Sequence, residues 1–250
     1  MTQSRKTVLI TGASSGLGAG MARQFAARGY HLALCARRTE RLLELKAELS
    51  GAYGVQVEVL ALDVNDHEQV FAVFEDFAQR FGHLDRIIVN AGIGEGRRIG
   101  SGHFATNKRT AETNFVAALA QCEAAVTIFR RQNSGHLVVI SSMSAMRGLP
   151  KHLTTYAASK AAVAHLAEGI RAELLHTPIR VSTLYPGYIR TELNAGAKKL
   201  PFEIPEELGC QYLVKAIERQ PAKACVPGWP WALMGVVMKV LPLRLVARFN

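Results

Sequence analysis

The chain has 250 residues, 49% hydrophobic and 20% charged, enough to bury a full core and a better fit to one α/β domain than to two small ones. Its formal net charge of +10 suits acidic ligands such as phosphates, coenzyme A or acyl carrier protein, or an anionic membrane face. Nucleic acid is disfavoured: the densest basic pairs (Arg37-Arg38, Arg97-Arg98, Arg130-Arg131, Lys198-Lys199) sit in separate segments, with no zinc-finger spacing or basic-region helix.

Residues 7–11 read as a short buried strand. The run Val8-Leu9-Ile10 is too short for a signal peptide or a membrane span, so a cytoplasmic protein is expected. Gly12-Ala13-Ser14-Ser15-Gly16-Leu17-Gly18 follows at once, and an apolar helical pattern then runs through Met21, Phe25 and Ala26 to Gly29. Strand, glycine turn and helix form the phosphate-binding opening of a dinucleotide fold. Gly12 permits the tight turn, Gly16 lets the backbone approach a pyrophosphate, and Gly18 allows close helix packing. The helix N-terminus offers amide donors and a favourable dipole to phosphate charge. The spacing differs from G-x-G-x-x-G. Thr11-Gly-Ala-Ser-Ser-Gly-Leu-Gly18 resembles the opening of the short-chain dehydrogenase/reductase family, and the resemblance recurs in order to about residue 226.

The second strand, His31 to Ala36, ends in Arg37-Arg38. An NAD-binding fold places an acidic residue near here for the ribose 2′-hydroxyl, and no Asp or Glu stands between the strand and Glu40. Arg37, with Arg38 as the weaker candidate, suits the 2′-phosphate of NADP instead, and Ser14 and Ser15 could add hydroxyl donors. A helix from about Glu40 to Leu49 and a strand around Val55 to Leu60 follow. Asp63-Val64 then falls where the family has its adenine-contacting acidic residue. Asp66 with Gln69 reads as a cap for the helix running to Phe81. Asp85 to Val89 is a fourth strand, closed by Asn90-Ala91-Gly92, which the resemblance assigns to the cofactor pocket.

Ile93 to Thr110, rich in glycine and arginine, is expected to be a loop for substrate or partner contact. A long helix is expected from about Thr110 to Phe129, with Asn114 on it. Mid-helix Asn is unfavourable by propensity, so a local job is expected. The family's Asn at this position holds a water that links the active-site Lys to solvent. His136 to Ser142 is a fifth strand. Ser142 stands fourteen residues before Tyr156, one more than the commonest family pattern, which leaves Ser141 and Ser144 beside it as candidates. Ser142 is taken as the carbonyl-polarising hydroxyl, with Ser144 in reserve.

Tyr156 and Lys160 stand four apart on a helix expected from about Thr155 to Leu175, so both project from one face. An ammonium ~5 Å from the phenol, at an effective dielectric of ~20, favours the phenolate by roughly 3 kcal/mol, or about 2 pKa units. That would bring a group of unperturbed pKa about 10 toward the range of general acid–base catalysis. A sixth strand, Ile179 to Leu184, leads into Tyr185-Pro186-Gly187-Tyr188-Ile189-Arg190-Thr191, whose Pro-Gly-x-x-x-Thr resembles the family segment over the nicotinamide. Residues 188–205 are expected to form the substrate lid. A helix from about Pro205 to Gln220 and a strand around Ala222 to Val226 complete the sheet. Cys35, Cys122, Cys210 and Cys225 lie far apart, without metal-ligand spacing or a disulfide framework, and the first two read as core residues.

The tail, 229–250, is apolar and basic, carries two Trp, and is interrupted by Lys239 and Pro242, so it is too short to span a bilayer. It suits peripheral membrane contact, or packing on a partner subunit or over the substrate pocket; packing is the favoured reading. The resemblance implies a doubly wound Rossmann-type α/β domain over residues 1–250, core about 7–226, with about seven parallel strands and helices on both faces. It implies NADP(H), a carbonyl or alcohol substrate, a homodimer or homotetramer, and no metal. Ser142 and Tyr156 then polarise the carbonyl, Tyr156 gives the proton, and Lys160 holds the ribose and lowers the Tyr156 pKa. A hydrophobic ketone is the expected substrate. A 3-oxoacyl thioester on acyl carrier protein or coenzyme A, and a non-catalytic NADP(H) sensor, are the alternatives.

Overall fold

The computed structural model describes residues 5–194, 196 and 200–248. Ala195, Ala197, Lys198 and Lys199 of the expected lid, and Phe249 and Asn250 of the tail, lie outside the described residues. The first strand, β1 (Thr7–Thr11), is buried along its whole length and pairs in parallel with β2 (His31–Ala36) on one side and β4 (Arg86–Val89) on the other. With β3 (Val57–Ala61), β5 (Gly135–Ile140), β6 (Ile179–Pro186) and β7 (Lys223–Val226) the order is β3-β2-β1-β4-β5-β6-β7, parallel throughout the described residues. The order in which strands are added reverses between β1 and β4. In open parallel sheets that switch point, at the carboxyl ends of the strands, is where ligands sit.

Helices cover both faces, so strands read as continuous apolar runs rather than alternating ones. One face carries α3 (His67–Phe81), α5 (Ala117–Gln132) and α6 (Thr154–Glu173), whose Phe74, Phe77, Ala124, Phe129 and Val163 share a core with Leu9, Ile87, Leu137 and Val139. The other carries α1 (Gly16–Ala26), α2 (Thr39–Tyr53) and α7 (Glu206–Glu218), whose Met21, Phe25, Leu42, Leu45 and Leu213 meet Val8, Ile10, Leu34 and Val138. Asp66 caps α3 as its spacing predicts, accepting from the Gln69 amide at 3.0 Å. Cys35 and Cys122 are core residues, and burial pushes the Cys122 thiol up to about 12.

Two expectations fail. Phe104–Ala111, inside the expected loop, is a helix, α4. Its glycines stop at Gly102, Asn107 and Thr110 turn inward, and the Asn107 side chain ties both backbone groups of Arg97 at 2.8 and 3.1 Å. The helix expected from Thr110 is also not continuous: Glu112–Val116 is a π-turn that joins α4 to α5. In the tail, α8 (Gly228–Val240) and α9 (Leu243–Val246) fold back over the carboxyl edge of the sheet. Trp231 joins Met143, Ala164 and Tyr185, and Val246 joins Leu149 and Ala157.

Candidate active site

The residues expected to serve catalysis and the cofactor follow the carboxyl ends of β1 to β6 or stand on the helices beside them. Gly12 and Gly16 have φ of +64° and +51°, a conformation that disfavours any side chain. The turn is locked from beneath by Thr11, the first residue of the motif, to which the sequence alone assigns no role of its own. Its hydroxyl accepts from the amides of Asn90 at 3.0 Å and Ala91 at 3.1 Å, and its carbonyl accepts from the Asn90 side chain at 2.9 Å. This contact is so close that a Cβ on Gly12 would sit 2.9 Å from the Ala91 Cα. A Cβ on Gly18 would sit 2.9 Å from the Asn90 Nδ2 and overlap the Gly12 carbonyl oxygen. Leu17, between them, packs against the core of α1. Asp63, just after β3, receives the Asn65 amide at 3.0 Å, and Val64 is buried under it.

Arg37 and Arg38 are both exposed, and Arg38 donates to the Ser14 hydroxyl at 3.2 Å and to that of Ser15. The same guanidinium pairs with Glu192 at 3.1 Å, and Arg41 holds the other carboxylate oxygen. Arg41 was legible as a cation one helical turn beyond Arg38; Glu192 carried no signal. The two guanidiniums hold the Glu192 carboxyl down to about 2. A cleft of about 450 Å³ lies alongside, lined by Ser14, Ser15, Gly16, Arg41 and Glu192 among others, and none of Ser142, Tyr156 or Lys160 lines it.

Ser142 follows β5 and faces the Tyr156 phenol, while Ser141 is buried and donates to the Lys160 carbonyl at 2.8 Å. Ser142 also accepts from the Ser144 amide at 3.1 Å, which orients its hydroxyl. Lys160 is buried, with its Nζ 5.9 Å from the Tyr156 ring centre and 3.0 Å from the Ile140 carbonyl. Burial draws the Lys160 ammonium down to about 8. The lowered phenol pKa expected from the four-residue spacing is not found. Burial pushes Tyr156 up, the Ser142 hydroxyl pulls it back, and the Tyr188 phenol nearby raises it further. The reason is burial: both groups are desolvated, which disfavours the charged form of each.

Asn114 sits in the π-turn, buried, and its amide clamps the Ile93 backbone, accepting at 2.8 Å and donating at 2.9 Å. Gly92 separates it from Lys160: a Cβ there would be 3.0 Å from the Asn114 Oδ1 and 3.4 Å from the Lys160 Nζ. Pro186 ends β6, and a Cβ on Gly187 would overlap the Trp231 indole. Ile189 is buried against Gly209, and Thr191 lies 3.4 Å from where a Gly16 Cβ would stand. At the base of the expected lid, Ile189 bridges Ile204 and Arg190 pairs with Glu203 at 3.0 Å. Tyr188 and Trp231, edge to face at 5.3 Å, close the side above Tyr156, a contribution sequence spacing does not reveal.

Comparison with known proteins agrees with the fold. Residues 6–200 match the family described as short chain dehydrogenase. An uncharacterized oxidoreductase of Mycobacterium tuberculosis is 54% identical over 246 residues, 98% of this chain and 97% of the relative. A short-chain dehydrogenase from Sphingobium yanoikuyae in complex with NADPH superposes with a TM-score of 0.82 at 28% identity, covering 98% of this chain and 96% of that one. An alcohol dehydrogenase from the archaeon Thermococcus sibiricus, complexed with 5-hydroxy-NADP, gives 0.80 at 26% identity over 89% and 96%. The chain belongs to the short-chain dehydrogenase/reductase family, and it is an oxidoreductase of the CH–OH/C=O class.

Proposed function

We propose that the whole chain works as one NADP(H)-dependent reductase domain, interconverting an apolar ketone and its alcohol in the cytoplasm as a homodimer or homotetramer. The observation that carries this reading is the Ser142–Tyr156–Lys160 group at the same carboxyl edge as a glycine turn packed so closely on Asn90 and Ala91 that no Cβ fits at Gly12 or Gly18. Such a turn at the start of α1 suits a dinucleotide, whose pyrophosphate needs backbone amides at close range. The glycine turn, Asp63, Asn90-Ala91-Gly92 and the Pro186–Thr191 segment would hold it. Arg38 with Ser14 and Ser15, and Arg37 at the same strand end, supply donors suited to a 2′-phosphate, and the strand end itself carries no Asp or Glu for a free 2′-hydroxyl. When bound, the nicotinamide supplies the hydride.

The chain's own residues do the rest. The Ser142 hydroxyl donates to the carbonyl oxygen and stabilises the charge that develops on it. Tyr156 delivers the proton to that oxygen. Lys160, whose pKa of about 8 leaves it able to give up a proton near neutrality, replaces the Tyr156 proton with Asn114 beside it. Tyr188, Met143 and Trp231 make the neighbouring wall apolar, which favours a hydrophobic ketone.

The test is NADPH consumption against carbonyls graded from small aldehydes to long-chain 3-oxoacyl thioesters and steroid ketones. Tyr156→Phe lowers turnover on the order of 10³-fold while NADPH still binds, and wild-type turnover rises with apolar size, then declines above pH about 8 as Lys160 loses its charge. A preference for 3-oxoacyl thioesters that collapses at high salt would shift the reading to an acyl-chain reductase acting through the basic surface. Tight NADPH binding with no Tyr156-dependent turnover of any carbonyl would favour a sensor.

A further inference from the structure

Helix α8 has two apolar faces, and protein covers one of them. Trp231 and Met234 pack against Met143, Met146 and Tyr185, and Met238 packs toward Leu149 and Ala157. Gly235, on the same side, lets the Met143 side chain come within 3.2 Å of where its Cβ would be. Outward, Trp229, Leu233, Val236 and Val240 are 76%, 52%, 62% and 76% exposed, and Leu243 at the start of α9 is 67% exposed. Residues 233, 236 and 240 recur at intervals of three and four, so they form one stripe. From Gly228 to Val240 the only charged side chain is Lys239. A helix apolar all round is ordinarily covered on both sides, by protein or by lipid.

Charge distinguishes the two covers. From Arg219 to Asn250 there is no Asp or Glu, while Lys239, Arg244 and Arg248 are exposed beside the stripe in sequence and Arg147 donates to the Lys239 carbonyl at 2.8 Å. A second copy seated on the same stripe would set these cations against their own counterparts, with no carboxylate from the segment to separate them. An anionic lipid surface instead offers acyl chains to the stripe and headgroup charge to the cations, whose stems lie along apolar surface while their heads reach outward. Trp is also favoured at that depth. No helix among the described residues is long and apolar enough to cross a membrane, so contact is in the plane of the surface.

We infer that the outward face of α8, with Leu243 and the cations Lys239, Arg244 and Arg248, is a docking surface for anionic lipid, on which the chain adsorbs without spanning. Because the inward face of the same helix packs beside Ser142 and Tyr156, adsorption brings the catalytic edge to the lipid. The inference stands whether or not the ketone reading holds.

Full-length protein is sedimented with vesicles of equal parts phosphatidylglycerol and phosphatidylcholine, and with phosphatidylcholine vesicles alone. Wild type binds the anionic vesicles and binds the neutral ones far more weakly. Leu233→Gln/Val236→Gln/Val240→Gln lowers partitioning about tenfold or more, and Lys239→Gln/Arg244→Gln/Arg248→Gln lowers it roughly a hundredfold at low salt. Unchanged unfolding midpoints and NADPH titrations establish that both variants are folded. Wild type that stays in the supernatant, or a stripe variant that binds as tightly as wild type, overturns the inference. So does a wild-type assembly that ignores vesicles and falls to half its mass in the stripe variant, since a second copy is then the occupant.

Discussion

At the glycine turn the close approach is between backbones, whereas over the catalytic edge it is between side chains and glycines. Gly18 presses on the carbonyl of Gly12 and Gly12 on the Cα of Ala91, so nothing at the contact can rotate away. In the roof, Trp231 lies on Gly187, Ile189 on Gly209 and Met143 on Gly235. Those partners are side chains with rotamers to spare, and Met is the most adaptable of them. The first kind of contact dictates residue type at fixed spacing. The second dictates only that something apolar fills the space.

The sharpest way to break the contrast is Gly18→Ala. Its methyl would overlap a backbone oxygen within the turn that carries the proposed cofactor groove, and relief requires moving α1 against β1. The expected cost is roughly 3 kcal/mol or more, with loss of measurable NADPH binding, read by thermal unfolding and by fluorescence titration. A variant that unfolds within about 0.5 kcal/mol of wild type would mean the turn is softer than the contact implies.

In the roof, a matched pair separates volume from polarity. Trp231→Ala removes a buried indole and costs about 3 kcal/mol, with a raised KM for large ketones. Trp231→Phe behaves differently, because the indole Nε1 is buried without a hydrogen-bond partner among the described residues. Deleting an unpaired buried donor relieves a penalty of about 1–3 kcal/mol that offsets the lost volume, so this variant is expected near neutral in denaturant unfolding. If Phe costs as much as Ala, the indole nitrogen has a partner in solution.

The same contrast explains what could be read from sequence. Gly12 and Gly18 are recognisable because the backbone there leaves no room for a Cβ, Asn90, Gly92, Tyr156 and Lys160 because their order and spacing resemble the family's, and the parallel sheet follows from the alternation of apolar runs and helices. The contact of Arg38 with Ser14 and Ser15 was not legible because adjacent residues at a strand end point to opposite sides, and the contact depends on where those hydroxyls are presented. The helix at Phe104–Ala111 was hidden by glycines that belong to the segment before it. The raised phenol pKa was not legible because four-residue spacing fixes which face two side chains share, not how deeply both are buried. Trp231 and Glu192 act across tens of residues of chain, a distance at which a single sequence carries no register.

Glu192 joins the two regions, and it carries the smallest expected effect. It belongs to the segment after Pro186, yet its carboxylate holds Arg38, proposed to meet a 2′-phosphate, and Arg41 beside it. A phosphate arriving at Arg38 competes with that carboxylate, so cofactor binding and the position of the segment are linked. Glu192→Gln removes the competing charge. These side chains are half exposed, and exposed pairs are worth about 0.2–1 kcal/mol each, so NADPH binding should tighten by no more than about fivefold while NADH binding is unchanged. The sign with pH follows from a carboxyl held down to about 2: the ion pair is fully formed above the ordinary Glu pKa and is lost only as pH falls toward 2. The difference between variant and wild type is therefore flat from pH 6 to 8. Weaker NADPH binding in the variant would show that Glu192 orients Arg38 for the phosphate instead of competing with it.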